Sequence, residues 1–461
     1  MSSTGRTRRV GTLHRDSTLR AVSTLCRVPG IARVFIIAAG AFLAVGNPGL
    51  WAESPRQAVE LALTHDATIK SAADGALAAQ FDATSTARSV LPTVTLGGSY
   101  QYTTATADLT LPTGPGTTQT VSLIQQNSID TSAGVRWAPF TGFAQSANVE
   151  LKQISALLAE NSLDSTRARI ALRTITAFRQ AQAAQLQIDT LTSGKQRAEL
   201  QLNQSKALEK QGMVKKVDVL SLSIASLDYD QKLIAARASL SDSLDQLKSL
   251  TGRVLDVPAA PDAAADLALP SLQMESQYRI KALGLQRSAL ETSRKLAESR
   301  YYPTVAVSGA LHYGIPGVNP VKDEWMLYGT AGVSISWSYD WGGTTLSVKA
   351  ADRNLSRLAN DEAAAREALR LEFDKAVRDW HAMKEEADLL KASLDLAGTK
   401  MNIVKSQYDQ GMASTTDFND SNLELTQAEL RYRSQLLALS LKANQIDALS
   451  GEPIDQWSIA Q

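Results

Sequence analysis

The chain has 461 residues, 44% of them hydrophobic and 20% charged, with a formal net charge of zero. A neutral chain with few aromatics is not built to hold nucleic acid through its charge, and one cysteine, Cys26, excludes an intramolecular disulfide. The charge is uneven: residues 1–52 hold seven arginines against one acid, Asp16, so the remainder is net negative.

Taken in chain order, residues 1–52 read as a signal peptide. Arginines 6 to 33 precede the twelve-residue apolar run Val34 to Val45, which is too short to span a bilayer comfortably; the alternative to a signal peptide is a single N-terminal membrane anchor. Asn47-Pro48-Gly49 breaks that run, and cleavage is expected near Ala52. No later run has the length of a membrane helix, so a membrane crossing would have to use strands.

The mature chain reads as two passes through one order of elements. A helix is expected from about Pro55 to Ser89, with Ala58, Leu61, Ala62 and Ile69 on one face, and Pro92 ends it. Period-two strands follow. Val94, Leu96, Gly98, Tyr100 and Tyr102 share one face from Thr93, and Ala133, Val135 and Trp137 share one before the next helix. Between them, Thr103 to Asn127 is expected to be a Thr- and Gly-rich loop. A helix from about Ser146 to Lys210, free of proline and with Gly194 as its one glycine, would span roughly 100 Å. A second helix runs from about Asp218 to Leu250, with Leu220, Ile224, Leu227, Leu240, Leu244 and Leu247 as its packing stripe.

The second pass has a helix from Gln273 to Ser299, strands from Thr304 to Tyr313 and Thr330 to Tyr339, and helices from Thr345 to Asp409 and Thr416 to Leu449. The halves match residue by residue. Leu91-Pro92-Thr93-Val94 corresponds to Tyr302-Pro303-Thr304-Val305, Trp137 and Gly142 to Trp337 and Gly342, and Gln211-Gly212-Met213 to Gln410-Gly411-Met412. The expected division is a leader over 1–52, a first repeat over 53–252, a linker over 253–270 and a second repeat over 271–461. Strand alternation with aromatics at the ends suits both a soluble sheet and a membrane barrel; the small polar residues on one face, together with the leader, favour the barrel.

This doubled order, with LPTVTLGGSY before a strand, a W-x-x-x-x-G turn before each long helix and Gln-Gly-Met between helices, resembles the TolC family of outer-membrane efflux proteins over Ser54 to about Pro453. The resemblance implies an α+β membrane protein in which three chains share a 12-stranded β-barrel, four strands each, continued by a long α-helical coiled-coil cylinder across the periplasm. It implies a passive channel subunit of a tripartite efflux or type I secretion system in the outer membrane. Its partners would be two further copies, a periplasmic adaptor protein, an inner-membrane pump of the RND or ABC type, and outer-membrane lipid. The two tips, Gln211, Gly212, Met213 and Gln410, Gly411, Met412, would touch the adaptor. Asp417 and Asp420, one turn apart, would ring a periplasmic aperture, although helix capping explains Asp417 equally well. Asp218 and Tyr408 would form a closed-state contact. The family's arginine-based contact is absent, its positions holding Ala413 and Val217.

No nucleophile–base set, Cys/His metal spacing or phosphate-binding glycine loop is visible, so neither enzyme activity nor a cofactor or metal is expected. The rival reading is an exported structural coiled-coil protein, a periplasmic spacer or adhesin; it accounts for the helices and leader but not for the strands.

Overall fold

The computed structural model describes residues 54–459 apart from 106, 123, 259–267 and 320–323. The expected leader and the centre of the expected linker lie outside these residues. Ser54 opens helix α1 (Pro55–His65) with a capping box: its Oγ accepts from Gln57 N, while Gln57 Oε1 accepts from Ser54 N. The sequence reads as one helix to Ser89, but the chain bends at Asp66. Its Oδ1 accepts from the amides of Thr68 (2.7 Å) and Ile69 (3.3 Å) and so starts a new helix, α2 (Ala67–Arg88). The apolar period survives the bend because both helices bury the same side: Ala58, Ala62 and Ile69 join Phe178 and Leu247 in one cluster.

Strand β1 (Thr93–Tyr102) follows Pro92. The segment expected to be a loop carries a hairpin, β2 (Asp108–Gly114) and β3 (Thr117–Ser122), turning at Gly116 with φ +86°. Its threonines are β-branched and favour extended backbone, a preference that polarity alone conceals. After β4 (Asn127–Phe140) come the helices α3 (Ala144–Lys210) and α4 (Lys216–Thr251). A single 3-10 turn, Met274–Ser276, then precedes α5 (Tyr278–Glu298), so this helix starts five residues later than expected. Strands β5 (Thr304–Ile315) and β6 (Met326–Ser336) lead into α6 (Gly343–Asp409) and α7 (Thr415–Ser450). Strand β6 stops at Ser336, short of the expected Tyr339. Its partner β5 begins at Thr304, after a proline that has no N–H to give, so nothing pairs beyond Ser336.

The four long strands form one antiparallel sheet in the order β1–β4–β5–β6. Register sorts its side chains cleanly. Val94 faces Val135, Trp137 faces Val307, and Val307 faces Val333, so one face is apolar and exposed, with Leu96, Val333 and Ile335 all at least 68% accessible. The opposite face carries Thr95, Gly134, Ala310 and Thr330 in one row and Gly97, Ser132, His312 and Tyr328 in another. Strands β1 and β6 each keep one edge unpaired among the described residues.

The helices form a layer four across. The long pair α3 and α6, 67 residues each and therefore about 100 Å long, runs its full length. Near the sheet α3 lies between α2 and α5; farther away it lies between α4 and α7, with α6 beside α7. Alanines at 171, 177, 181, 184 and 198 of α3 are buried and let its neighbours approach closely. Apolar clusters close each seam: Leu191, Ala198, Tyr229 and Leu233 between α3 and α4, and Phe373, Trp380, Leu439 and Ile446 between α6 and α7. The expected stripe of α4 is corrected in part. Leu247 is buried, and Leu240 and Leu244 are partly so, but Leu220, Ile224 and Leu227 are exposed. The buried side at that end holds Val219, Leu222, Ser226 and Tyr229 instead. Two apolar stripes run along this helix, and among the described residues only one is covered. Among the described residues no helix is long and apolar enough to cross a membrane.

Candidate functional site

The far end of the helical layer is made by two turns. Helix α3 ends with Gln211 at the C-cap and Gly212 at φ +74°; Gly212 N donates to Glu209 O and Met213 N to Leu208 O. Helix α6 ends the same way, with Gln410 at the cap and Gly411 at φ +75°; Gly411 N donates to Tyr408 O and Met412 N to Gln407 O. Both are Schellman closures, which need a residue comfortable at positive φ. A Cβ on either glycine would meet nothing within 4 Å, so backbone conformation and not space selects glycine here. Met213 (63%) and Met412 (68%) project into solvent, and Lys210, Lys215 and Lys216 surround the first turn, all exposed.

Asp417 and Asp420 both lie on the exposed side of the first turns of α7, flanking the buried Phe418. Asp417 is also a capping residue. Its Oδ2 accepts from Ser414 N (2.9 Å) and Ser414 Oγ (2.7 Å), and Asp417 N donates to Ser414 Oγ (3.1 Å). These Ser414 donors hold its carboxyl below the ordinary range. Asp420 lies within the field of Lys400, which is bonded to Glu424; Glu424 first and Asp420 second hold Lys400 above the ordinary lysine range.

Asp218 and Tyr408 are not brought together as a bonded pair. Tyr408 Oη shares hydrogen bonds with Ser205 Oγ (3.1 Å) and Thr415 Oγ1 (3.2 Å), and its ring packs on Phe418 at 5.6 Å. Asp218, half-buried, occupies the third position of α4. The expected contact is therefore replaced: the phenol still bridges the two helix pairs, but through a serine of α3.

A second bridge lies deeper, and sequence reasoning missed it. Arg197 Nε donates to Asn422 Oδ1 (2.6 Å) and Arg197 Nη2 to Thr426 Oγ1 (2.9 Å). Asn422 Nδ2 donates to Gly194 O (3.0 Å) and to Tyr229 Oη (3.2 Å). A Cβ at Gly194 would sit 2.7 Å from Thr426 Oγ1 and 2.8 Å from the Tyr229 ring. The lone glycine of a 67-residue helix was the available signal: it marks where another element comes close.

An end-on pair of helix turns with exposed carboxylates, a layer of helices about 100 Å long, and a sheet with one apolar exposed face make up the unit formed by the described residues. No curated protein sequence matches it significantly. Solved structures do. CusC matches at 12% identity over 87% of this chain and 93% of its own, with a TM-score of 0.72. The Campylobacter jejuni outer membrane channel CmeC matches at 15% identity over 87% and 86%, also at 0.72. The Vibrio cholerae outer membrane protein VceC matches at 16% identity over 87% and 98%, at 0.67. At these identities they establish the fold. The family described as outer membrane efflux protein matches residues 58–253 and 269–452. The chain therefore belongs to the outer membrane efflux protein family, and it is an outer-membrane protein whose helices extend into the periplasm.

Proposed function

We propose that this chain is one of three identical subunits of a passive export channel, the outer-membrane part of a tripartite efflux or type I secretion system. The observation that carries this reading is the sheet. It has an apolar, exposed face and two open edges, and such edges are not tolerated in lipid. Four strands per chain close into a barrel when three chains contribute twelve. The polar face then lines a water-filled lumen, and the hairpin β2–β3 lies on the extracellular side.

The helical layer supports the same assembly. Its outer edges are α4 and α6, and both expose apolar residues at coiled-coil spacing: Val217, Leu220, Ile224, Leu227 and Ile234 on α4, and Leu389, Leu396 and Ile403 on α6. The α4 edge of one copy against the α6 edge of the next covers both stripes and continues around a cylinder. The tips at Gly212 and Gly411 would meet a periplasmic adaptor, and an inner-membrane pump of the RND or ABC type would supply the energy. Asp417 and Asp420 would place six carboxylates around the narrow end, where they favour cations. Opening would be a shift of a closed–open equilibrium in which the bridges from Tyr408 to Ser205 and from Arg197 to Asn422 are exchanged. The matching element lengths support two internal repeats, 53–252 and 271–461, joined by the linker 253–270. No enzyme activity is assigned.

Single-channel conductance of the purified protein in planar bilayers tests this. A small cation-selective conductance is expected, rising and losing selectivity in Asp417→Ala/Asp420→Ala. A detergent-independent soluble protein without conductance would instead point to the structural coiled-coil reading, and a conductance indifferent to the double substitution would remove the aspartates from the aperture.

A further inference from the structure

The four long strands contain only three charged or histidine side chains, Asp130, Arg136 and His312, and register places all three on the polar face. Two of them touch. His312 Nδ1 lies 3.1 Å from Asp130 Oδ2 and 3.3 Å from Oδ1. The pair is diagonal across β4 and β5: Asp130 stands opposite Gly314, and His312 opposite Ser132. Gly314 makes the approach possible, since a Cβ there would sit 3.1 Å from Asp130 Oδ1 and 2.5 Å from Ile129 O. On its other side the imidazole lies flat on Tyr328, directly opposite on β6, with ring centroids 5.0 Å apart and planes 8° apart. Both side chains remain partly accessible, 24% for His312 and 35% for Asp130.

The pair lies at the end of the sheet remote from the helices, where β4 begins and β5 ends. Arg136 lies six residues along β4, roughly 20 Å away, beyond the Debye length at physiological salt. The remaining residues of this face are uncharged: threonine, serine, glycine, alanine, glutamine, methionine and tyrosine. Glycines and alanines keep the wall thin, so within the four long strands the charge at this level of the lumen is set by Asp130 and His312 alone; Asp108 at the start of β2 and Glu324 ahead of β6 stand in the segments beyond these strands.

We infer that Asp130 and His312 form, in each subunit, a proton-sensitive charge site that sets the ion preference of the barrel's outer mouth. With the imidazole neutral, each pair carries one negative charge and three copies present an anionic ring. With the imidazole protonated, each pair is neutral and the ring disappears. Histidine is the side chain whose charge changes between pH 5 and 8, so the outer mouth prefers cations at neutral pH and loses that preference in acid. This rests on the trimeric-barrel reading.

Reversal potentials under a potassium chloride gradient, at pH 8 and pH 5, test it in planar bilayers. The ratio of potassium to chloride permeability is expected to fall about two- to threefold on acidification of the wild-type channel. His312→Gln keeps a hydrogen-bonding side chain and should hold the pH 8 ratio at both pH values, with His65 and His381 still in place. Asp130→Asn, with the aperture carboxylates still in place, should start from a lower ratio than wild type at pH 8 and still fall on acidification as His312 gains its charge, a response that a purely structural role would not produce. Arg136→Gln should raise the ratio at both pH values and leave the fold-change intact. Trimer mobility in detergent checks that each variant assembles. A protein with no conductance overturns the channel reading and this inference together. A conducting channel whose selectivity ignores pH, or follows it equally in His312→Gln, overturns this inference alone.

Discussion

The two turns at the far end of the helices share a sequence, Gln-Gly-Met, and a backbone. Their C-caps agree to within a degree, at φ −93° and ψ 1° for Gln211 against φ −93° and ψ 0° for Gln410. They part at the next helix. Helix α7 starts from Ser414, which closes a capping box with Asp417. Helix α4 starts from Lys215, which offers no side-chain cap to Asp218 at the same third position. How a helix ends is thus dictated by glycine and the Schellman geometry, whereas how the next one starts depends on one side chain. That side chain decides whether the following carboxylate is tied to its own helix or left for another partner.

The largest effect expected from this contrast lies behind the turns. Phe418, 1% exposed, packs with Leu222, Met401 and Val219. Phe418→Ala should cost about 3–5 kcal/mol, and Val219→Ala, at the corresponding position of α4, clearly less. Thermal unfolding of the detergent-solubilised protein reads both, and equal losses would break the asymmetry. Next come Gly212→Ala and Gly411→Ala. Each forces a Cβ into the left-handed region at about 1–2 kcal/mol, and the two should match, since neither site is crowded. Ser414→Ala should cost about 1 kcal/mol through loss of the cap, while Lys215→Ser should gain a fraction of that.

The smallest effect is on pH dependence. The folded-state pKa of Asp417 is depressed by the Ser414 hydroxyl and amide. Its contribution to stability is therefore present above the ordinary carboxylate range and is lost as pH falls through the depressed value. Ser414→Ala should remove that acid-side component from a stability–pH curve, and its survival would mean that the cap is not its source.

Much of the fold was legible because its signals are local and repeated. Proline stops at Pro92 and Pro303, strict alternation from Val94 to Tyr102, and a proline-free stretch from Ser146 to Lys210 each follow from short-range sterics, and the observed bounds differ by a few residues. The misreadings have physical reasons. Asp66 breaks α1 from α2 by capping, which no apolar period reveals. The Leu220, Ile224 and Leu227 stripe has helical spacing but faces outward, because two stripes on one helix satisfy the same period. Tyr408 takes Ser205 in place of Asp218 because the choice among polar partners is made by packing over distances of 200 residues.

The sequence by itself determined the element order, the Gln-Gly-Met turns and the two-faced strands, since backbone sterics and hydrophobic period act over a few residues. Only the tertiary structure decided which stripe of α4 is buried, that Gly194 admits Asn422, Thr426 and Tyr229, and that Gly314 lets Asp130 reach His312. Each of those depends on how closely two distant backbones approach, and that distance is set by the packing of the whole layer.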